Sequence, residues 1–255
     1  MKPEDRRQEI VELLVDLGSA SLDDLSRQFG VSKMTIHRDL DELEQEGLLR
    51  KMRGGATIEA SGQFESDFRY RMRSAGEEKR QIAERAARFL EPGMSVMVDD
   101  GSTSQQILSA LIELRPLTVI TNNHALIEGL AGTSGIELVA LGGTYSRKFN
   151  GFFGVVTLTA LTNLRADVAL LSTSAIDGHT AFHQDQEVLE VKRRMIACSA
   201  RSYLMADHGK FGRTALHYVT DLDAFDGVVT SSALPEPRAA ALRDRGIALH
   251  FHEEG

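Results

Sequence analysis

The sequence predicts two parts: an N-terminal winged helix-turn-helix, mainly α-helical, and a C-terminal α/β domain built on a parallel sheet. Helical apolar spacing recurs three times near the start and is followed by a Gly-Gly ribbon. After a stretch without periodicity, short apolar runs alternate with amphipathic helical patterns, the mark of βαβ units. The predicted boundaries are 1–59 for the first part, 60–74 for a linker and 75–255 for the second.

In the first part, Ile10, Leu13, Leu14 and Leu17 recur at helical spacing, and Gly18 stops that helix. Ser21 is placed to cap a second helix, with Asp24 three residues on and Leu22, Leu25 and Phe29 as its buried stripe. Gly30-Val31-Ser32 makes a tight turn, and Ser32 caps a third helix that buries Ile36, Leu40 and Leu43 and ends near Gly47. LLRKMRGGATI then reads as a β-ribbon turning at Gly54-Gly55. ASGQFESD, residues 60–67, reads as linker, and EEKRQIAERAARFL as an amphipathic helix with Ile82, Ala86 and Phe89 on one face. MSVMV, LTVIT, IELVAL, DVALLS, SYLMA and GVVTS follow as strands of a sheet covered on both faces.

Bulk properties narrow the class. A 255-residue chain is long enough for two cores, and its net charge of -8 argues weakly against a uniformly basic coat while allowing a local basic surface. The first ten residues are charged, unlike a signal-peptide core, and no apolar run reaches bilayer-spanning length. The single cysteine, Cys198, cannot pair internally and reads as a buried thiol. A soluble cytoplasmic protein is expected, with no cofactor.

The third helix has the chemistry of DNA reading. With Ile36, Leu40 and Leu43 on the packing face, Ser32, Lys33, Thr35, His37 and Arg38 are left at the N-terminal, groove-facing side. Thr35 suits a phosphate, Arg38 a phosphate or guanine, and His37 a base edge. Arg50, Lys51 and Arg53 on the ribbon suit backbone phosphates. Asp41, Glu42, Glu44 and Glu46 lie on the same helix and oppose this reading, but toward its C-terminal half.

Here the sequence resembles the DeoR family of transcriptional regulators. LDDLSRQFGVSKMTIHRDLDELEQEGLLRKMRGGA is similar to the family signature VSxxTIRRDLxxLExxGxLxRxxGGA at Val31, Ser32, Thr35, Ile36, Arg38, Asp39, Leu40, Leu43, Glu44, Gly47, Gly54 and Gly55. His37 departs from it, replacing an arginine, which bears on operator preference rather than on binding mode.

Ligands of open α/β sheets bind at the carboxyl ends of the strands. There this chain offers Ser102, Thr103 and Ser104 in VDDGSTSQQIL, Asn122 and Asn123 in TNNHAL, Gly142, Gly143 and Arg147 in the next loop, and Lys210 in ADHGKFG. Each loop alone is more often a cap or a turn, but all fall on one predicted sheet edge. The DeoR resemblance extends over this half too, through Phe68, Arg71, Glu78, Lys79, Ile82 and Ala83, then DDGST, TNN, LGG, and Glu187, Lys192 and Met195 in DQEVLEVKRRM. Gly209 stands where the family's ADxSKFG has serine. The resemblance implies a ribose-5-phosphate-isomerase-like sensor domain, a phosphorylated sugar or sugar derivative as effector, and a homodimer or homotetramer. It implies ligand contacts at Asp99, Gly101, Ser102, Thr103, Asn122, Gly143, Lys192 and Lys210, to which the loop chemistry adds Ser104. Lys192 has a competing reading as a helix-surface residue.

The rival reading is a sugar-phosphate isomerase or deaminase with an accessory helical module. The related isomerases carry a DGADE-like run after the strand corresponding to DVALLS, whereas this chain reads Ser172-Thr173-Ser174-Ala175, with its first acid at Asp177. The expected base is missing, so binding without turnover is the expectation, with Asp185 and Glu187 as possible substitutes. His179 and His183 are four apart with Asp185 close by, a spacing that would serve a metal on a helix, but DGHTAFHQDQ reads as a loop with exposed or hydrogen-bonded histidines. His250 and His252 alternate on a terminal strand and make a poor site, so no metal is expected.

Overall fold

The computed structural model describes residues 2–46, 48–58, 68–73 and 75–252, and it divides into two compact units, Met1–Ser74 and Ala75–Gly255. In the first unit α1 (Pro3–Leu17) leads through β1 (Ser19–Ser21) into α2 (Leu22–Phe29) and α3 (Lys33–Gln45). The caps are the expected ones. Gly18 ends α1, the Ser21 hydroxyl accepts from the Asp24 N–H, and the Ser32 hydroxyl accepts from the Thr35 N–H. Ile10, Leu14, Leu25, Ile36, Leu40 and Leu43 close one core with Leu49 and Ile58.

The ribbon is β2 (Arg50–Met52) and β3 (Gly55–Thr57), and β1 adds an unforeseen third strand in the order β1-β3-β2. Ser19–Ser21 is too short to carry a periodicity of its own. Gly54 turns the ribbon at φ +83°, and a Cβ on Gly55 would lie 2.2 Å from the Ala20 carbonyl oxygen, so β3 reaches β1 only with glycine there. One expectation is corrected. The stretch read as linker contains a helix, α4 (Phe68–Arg73), which packs against α1 with Phe68 and Arg71 buried, because those two side chains have an apolar surface to cover. The rest of that stretch, residues 60–67 and 74, lies outside the described residues, as does Gly47; α3 runs to Gln45 with Glu46 as its C-cap.

In the second unit the helices are α5 (Gly76–Ala87), α6 (Leu108–Glu113), α7 (His124–Leu130), α8 (Val155–Thr162), α9 (Gln186–Ala197) and α10 (Glu236–Asp244). The strands of the main sheet are β4 (Ser95–Val98), β5 (Leu117–Thr121), β6 (Ile136–Ala140), β9 (Ala166–Ser172), β12 (Ser199–Met205), β14 (Gly227–Thr230) and β15 (Leu249–Phe251). They form a seven-stranded sheet in the order β15-β14-β12-β9-β4-β5-β6, and every adjacent pair is parallel. Val96, Val98, Val168 and Leu170 meet α5, α6 and α7 on one face. Met97, Ala169, Leu171 and Leu204 meet α8, α9 and α10 on the other. Burial on both faces is why these strands read as unbroken apolar runs.

Two further pieces sit at the strand ends. A hairpin of β7 (Thr144–Ser146) and β8 (Gly151–Phe153) follows β6, and β10 (Ala175–Asp177), β11 (Thr180–His183) and β13 (His217–Asp221) form a separate antiparallel sheet. DGHTAFHQDQ is therefore mostly hairpin rather than loop, turning at Gly178 (φ +56°); its two strands are short, and β13, which pairs with β11, lies far along the chain. The last strand ends at Phe251, so of the two C-terminal histidines only His250 lies on it.

Candidate DNA-binding face and sensor site

On α3 the burial of Ile36, Leu40 and Leu43 leaves Lys33, His37 and Arg38 exposed and Thr35 half-buried. Ser32 and Thr35 are joined by a 3.0 Å hydroxyl contact that fixes the first turn. Three of the four acids toward the C-terminal end of the same helix are engaged within the unit. Asp41 binds Lys51 and lies 3.6 Å from the His37 ring, Glu42 binds Arg7, and Glu44 accepts the Lys51 N–H at 2.6 Å. The Lys51 bond and charge, with smaller help from His37, hold the Asp41 carboxyl below its ordinary range despite partial desolvation. Lys33 pairs with Asp23. Arg38, Arg50 and Arg53 remain exposed, with no carboxylate partner among the described residues. The cation set foreseen thus separates into three exposed guanidinium groups and two lysines held by neighbouring acids.

Asp39 matched the family signature without a stated role. Its carboxylate is buried and takes two bonds from Arg6, at 2.7 and 3.1 Å, tying α1 to α3. That bidentate bond, outweighing burial, holds the Arg6 guanidinium above its ordinary pKa.

In the C-terminal unit Gly101, Ser104 and Lys192 of the predicted ligand set meet at Asp99, just past the carboxyl end of β4. Asp99 is fully buried and its carboxylate accepts from Ser172 N (2.7 Å), Gly101 N (3.1 Å), the Ser104 hydroxyl and Lys192 Nζ. A Cβ on Gly101 would fall 2.0 Å from the Ser172 hydroxyl, so the loop turns tightly around this carboxylate only because residue 101 is glycine. Lys192 Nζ also lies 3.5 Å from Asp100, which is buried as well. The surface reading of Lys192 is therefore overturned: α9 points it inward, because an ammonium offsets the desolvation of two adjacent carboxylates. Ser104 opens a 3-10 turn (Ser104–Ile107) ahead of the six-residue α6, and its hydroxyl, like the Gly101 N–H, is directed at Asp99. Ser102 and Thr103 are buried in the same loop.

Asn122 follows β5. Its amide donates to the Phe152 carbonyl (3.1 Å), and the Phe152 N–H donates to the Asn122 carbonyl (2.9 Å), so the β7–β8 hairpin roofs the end of β5. Its Oδ1 is buried with no hydrogen-bond partner among the described residues, and the same holds for Gln105 Oε1 and Thr230 Oγ1 near the same sheet edge. Asn123 is an N-cap, accepting from Ala125 N and Leu126 N. Gly143 sits where a Cβ would meet the Phe153 carbonyl and the Thr157 hydroxyl at 2.4 Å, so it packs against the hairpin and α8. Lys210 ends a 3-10 turn (His208–Lys210) after β12 and is half-buried.

The acids offered as catalytic substitutes are placed differently. Asp185 caps α9 through Glu187 N (3.0 Å) and Val188 N (3.2 Å), Glu187 is exposed, and Asp177 is exposed beside the Gly178 turn. Thr173 donates to the Phe182 carbonyl (2.8 Å). His183 is buried and accepts from Asp185 N (3.1 Å). No group of three or more metal-ligating side chains occurs among the described residues, and no described helix is long and apolar enough to cross a membrane.

Sequence reasoning missed Asp100 and Ser172 as parts of the Asp99 cluster, although the Asp-Asp doublet before Gly101 was a usable signal. It also missed a cluster around Glu78, whose carboxylate accepts from His208 N (2.7 Å), the His208 ring (2.8 Å) and the Ser231 hydroxyl. Burial pushes the Glu78 carboxyl up, but these bonds outweigh it and hold the group below its ordinary range.

Comparison with known proteins finds likeness along nearly the whole chain. Residues 6–61 match the DeoR-like helix-turn-helix domain and residues 74–232 the DeoR C terminal sensor domain. The chain is 32% identical to the HTH-type transcriptional regulator IolR of Bacillus subtilis, over 96% of this chain and 98% of that protein. It is 30% identical to the glycerol-3-phosphate regulon repressor of Escherichia coli, over 98% and 100%, and to the L-fucose operon activator of Haemophilus influenzae, over 89% and 91%. Among solved structures it is similar to ribose 5-phosphate isomerase A of Methanocaldococcus jannaschii (TM-score 0.40, 16% identity, 54% of this chain and 55% of that one). A similar distant likeness is to eIF2B delta of Chaetomium thermophilum (TM-score 0.44, 16% identity, 62% and 56%). The match spans little more than half of those solved chains. Two matching domain families in the expected order, and relatives aligned nearly end to end, establish that this chain belongs to the DeoR family of transcriptional regulators.

Proposed function

We propose that this chain is a repressor that binds operator DNA through α3 and its ribbon, and that a phosphorylated sugar or sugar derivative controls that binding at the carboxyl edge of the sensor sheet. The observation that carries the effector reading is the buried, unpartnered Asn122 Oδ1 among hydroxyl-rich loops. A native fold rarely strands a buried acceptor, and a sugar hydroxyl supplies the missing donor. Ser102 and Thr103 supply further polar contacts, and Lys210 a cation on the same edge, while Asp99, Gly101, Ser104 and Lys192 hold the loop in shape. The likeness to a glycerol-3-phosphate regulon repressor supports both the sign and a phosphorylated ligand. Ser32, Lys33, Thr35, His37, Arg38, Arg50, Lys51 and Arg53 form the DNA-facing set, with the unpaired guanidinium groups as its main phosphate contacts. A homodimer or homotetramer presents two such faces to operator half-sites, in the cytoplasm where the DNA lies.

The test is a thermal-shift screen of the full chain against sugar phosphates beside their unphosphorylated parents. A ligand that binds only the folded state raises the melting temperature by mass action. A shift with one phosphorylated compound and not its parent supports the reading, and adding that compound to operator-bound protein is expected to release DNA. Consumption of the compound would favour an isomerase or deaminase, and a flat response across the panel would sink the effector assignment.

A further inference from the structure

The turn that carries Lys210 is held from two sides. On one, Gly212 N donates to the Ile176 carbonyl of β10 at 2.7 Å. On the other, both the backbone N–H and the ring of His208 meet the Glu78 carboxylate of α5, at 2.7 and 2.8 Å. The Ser231 hydroxyl, just after β14, donates to the same carboxylate. Glu78 is thus a single side chain joining the first turn of α5 to the loops after two strands of the sensor edge. Its side chain is only 13% exposed, so these bonds are partly shielded from competing water. α5 is also where the chain enters the sensor unit after the DNA-binding unit, its first residue being Gly76.

We propose that Glu78 is a positioning residue of the sensor: it holds the Lys210 turn against α5 and passes ligand engagement at that turn to the start of α5. The coupling half rests on the effector reading above; the positioning half stands without a ligand. An effector that draws Lys210 inward must either carry α5 with it, at the expense of the Ser231 bond, or break the two His208 bonds, so the contact gives α5 two discrete arrangements for a ligand to choose between.

Hydrogen exchange on the full-length protein tests both halves. In Glu78→Met, which keeps the volume and removes the acceptors, amide exchange over residues 206–211 should rise about tenfold or more, the factor expected when a charge-assisted hydrogen bond is lost. Glu78→Gln keeps an acceptor for His208 N and Ser231 and should stay within about threefold of the parent. This rescue separates acceptor chemistry from mere packing. Glu78→Asp, which withdraws the carboxylate by one methylene, carries the Met expectation should Met prevent folding. Unchanged exchange over 206–211 in Met or Asp would overturn the positioning role. With inorganic phosphate as the probe, the parent should gain protection at 99–104, 206–211 and 76–84, and Glu78→Met should lose only the last. Protection of 76–84 retained in Glu78→Met would overturn the coupling. If phosphate protects nothing in the parent, the effector reading and with it the coupling fail, while the ligand-free comparison still decides whether Glu78 holds the turn.

Discussion

Buried charge organises both units at the scale of single residues. Lys192 stands between Asp99 and Asp100 with only 2% of its surface exposed, so the ammonium and the carboxylates offset one another's desolvation. Removing one member strands the rest, which costs more than the pair itself contributes. Lys192→Met should therefore destabilise the protein by about 3–5 kcal/mol in denaturant melts; a loss below about 1 kcal/mol would mean that the cluster is solvated or neutral. His250 titrates in the opposite sense to a paired histidine. It packs against Phe89 and Tyr203, and burial first, then the nearby Arg85 charge, hold its folded pKa below the ordinary 6.5. The unfolded chain therefore takes up the proton first as pH falls. Its contribution to stability is complete above about pH 6.5 and declines as pH drops from there toward the folded value. The drop in melting temperature between about pH 7.5 and 5.5 should be smaller in His250→Leu than in the parent; an equal drop would assign the acid sensitivity to other groups.

At the scale of elements, the periodic segments were legible and the short ones were not. Helices α1, α2, α3 and α5 and six of the sheet's strands were read from spacing and caps, because a stripe of buried side chains repeats often enough to be seen. Strand β1, helix α4 and the β10–β11 hairpin escaped, being three to six residues long and stabilised by partners distant in sequence. The wing depends on one of them. Because β3 is sandwiched between β1 and β2, a methyl at residue 55 must push the Ala20 backbone away. Gly55→Ala should cost about 1–3 kcal/mol in the N-terminal unit and weaken DNA binding through the displaced ribbon. Full affinity and an unchanged melt in that variant would show that β1 yields without consequence.

At the scale of the whole molecule, the chain divides into two compact units, and the proposed function assigns DNA binding to one and effector sensing to the other. Arg38→Ala should weaken DNA binding and flatten the slope of log affinity against log salt by about one, leaving the effector-induced thermal shift intact. Lys210→Ala should do the reverse. Fluorescence anisotropy on operator fragments at several salt concentrations, beside thermal shifts, measures both; equal loss of both activities in both variants would refute the division of labour.

The sequence by itself determined the order of the two domains, the apolar faces of the long helices, the caps at Ser21 and Ser32, and the sheet edge that collects the polar loops. These follow from local periodicity and from the rule that parallel strands present their carboxyl ends together. Only the tertiary structure decided which polar residues face one another. Asp99 meets Lys192 across 93 positions of sequence, Glu78 meets His208 across 130, and Arg6 meets Asp39 across 33. Nothing local marks such partners, because a buried charge is placed by whichever distant group offsets its desolvation, and that group is identified only once the strands have been brought side by side.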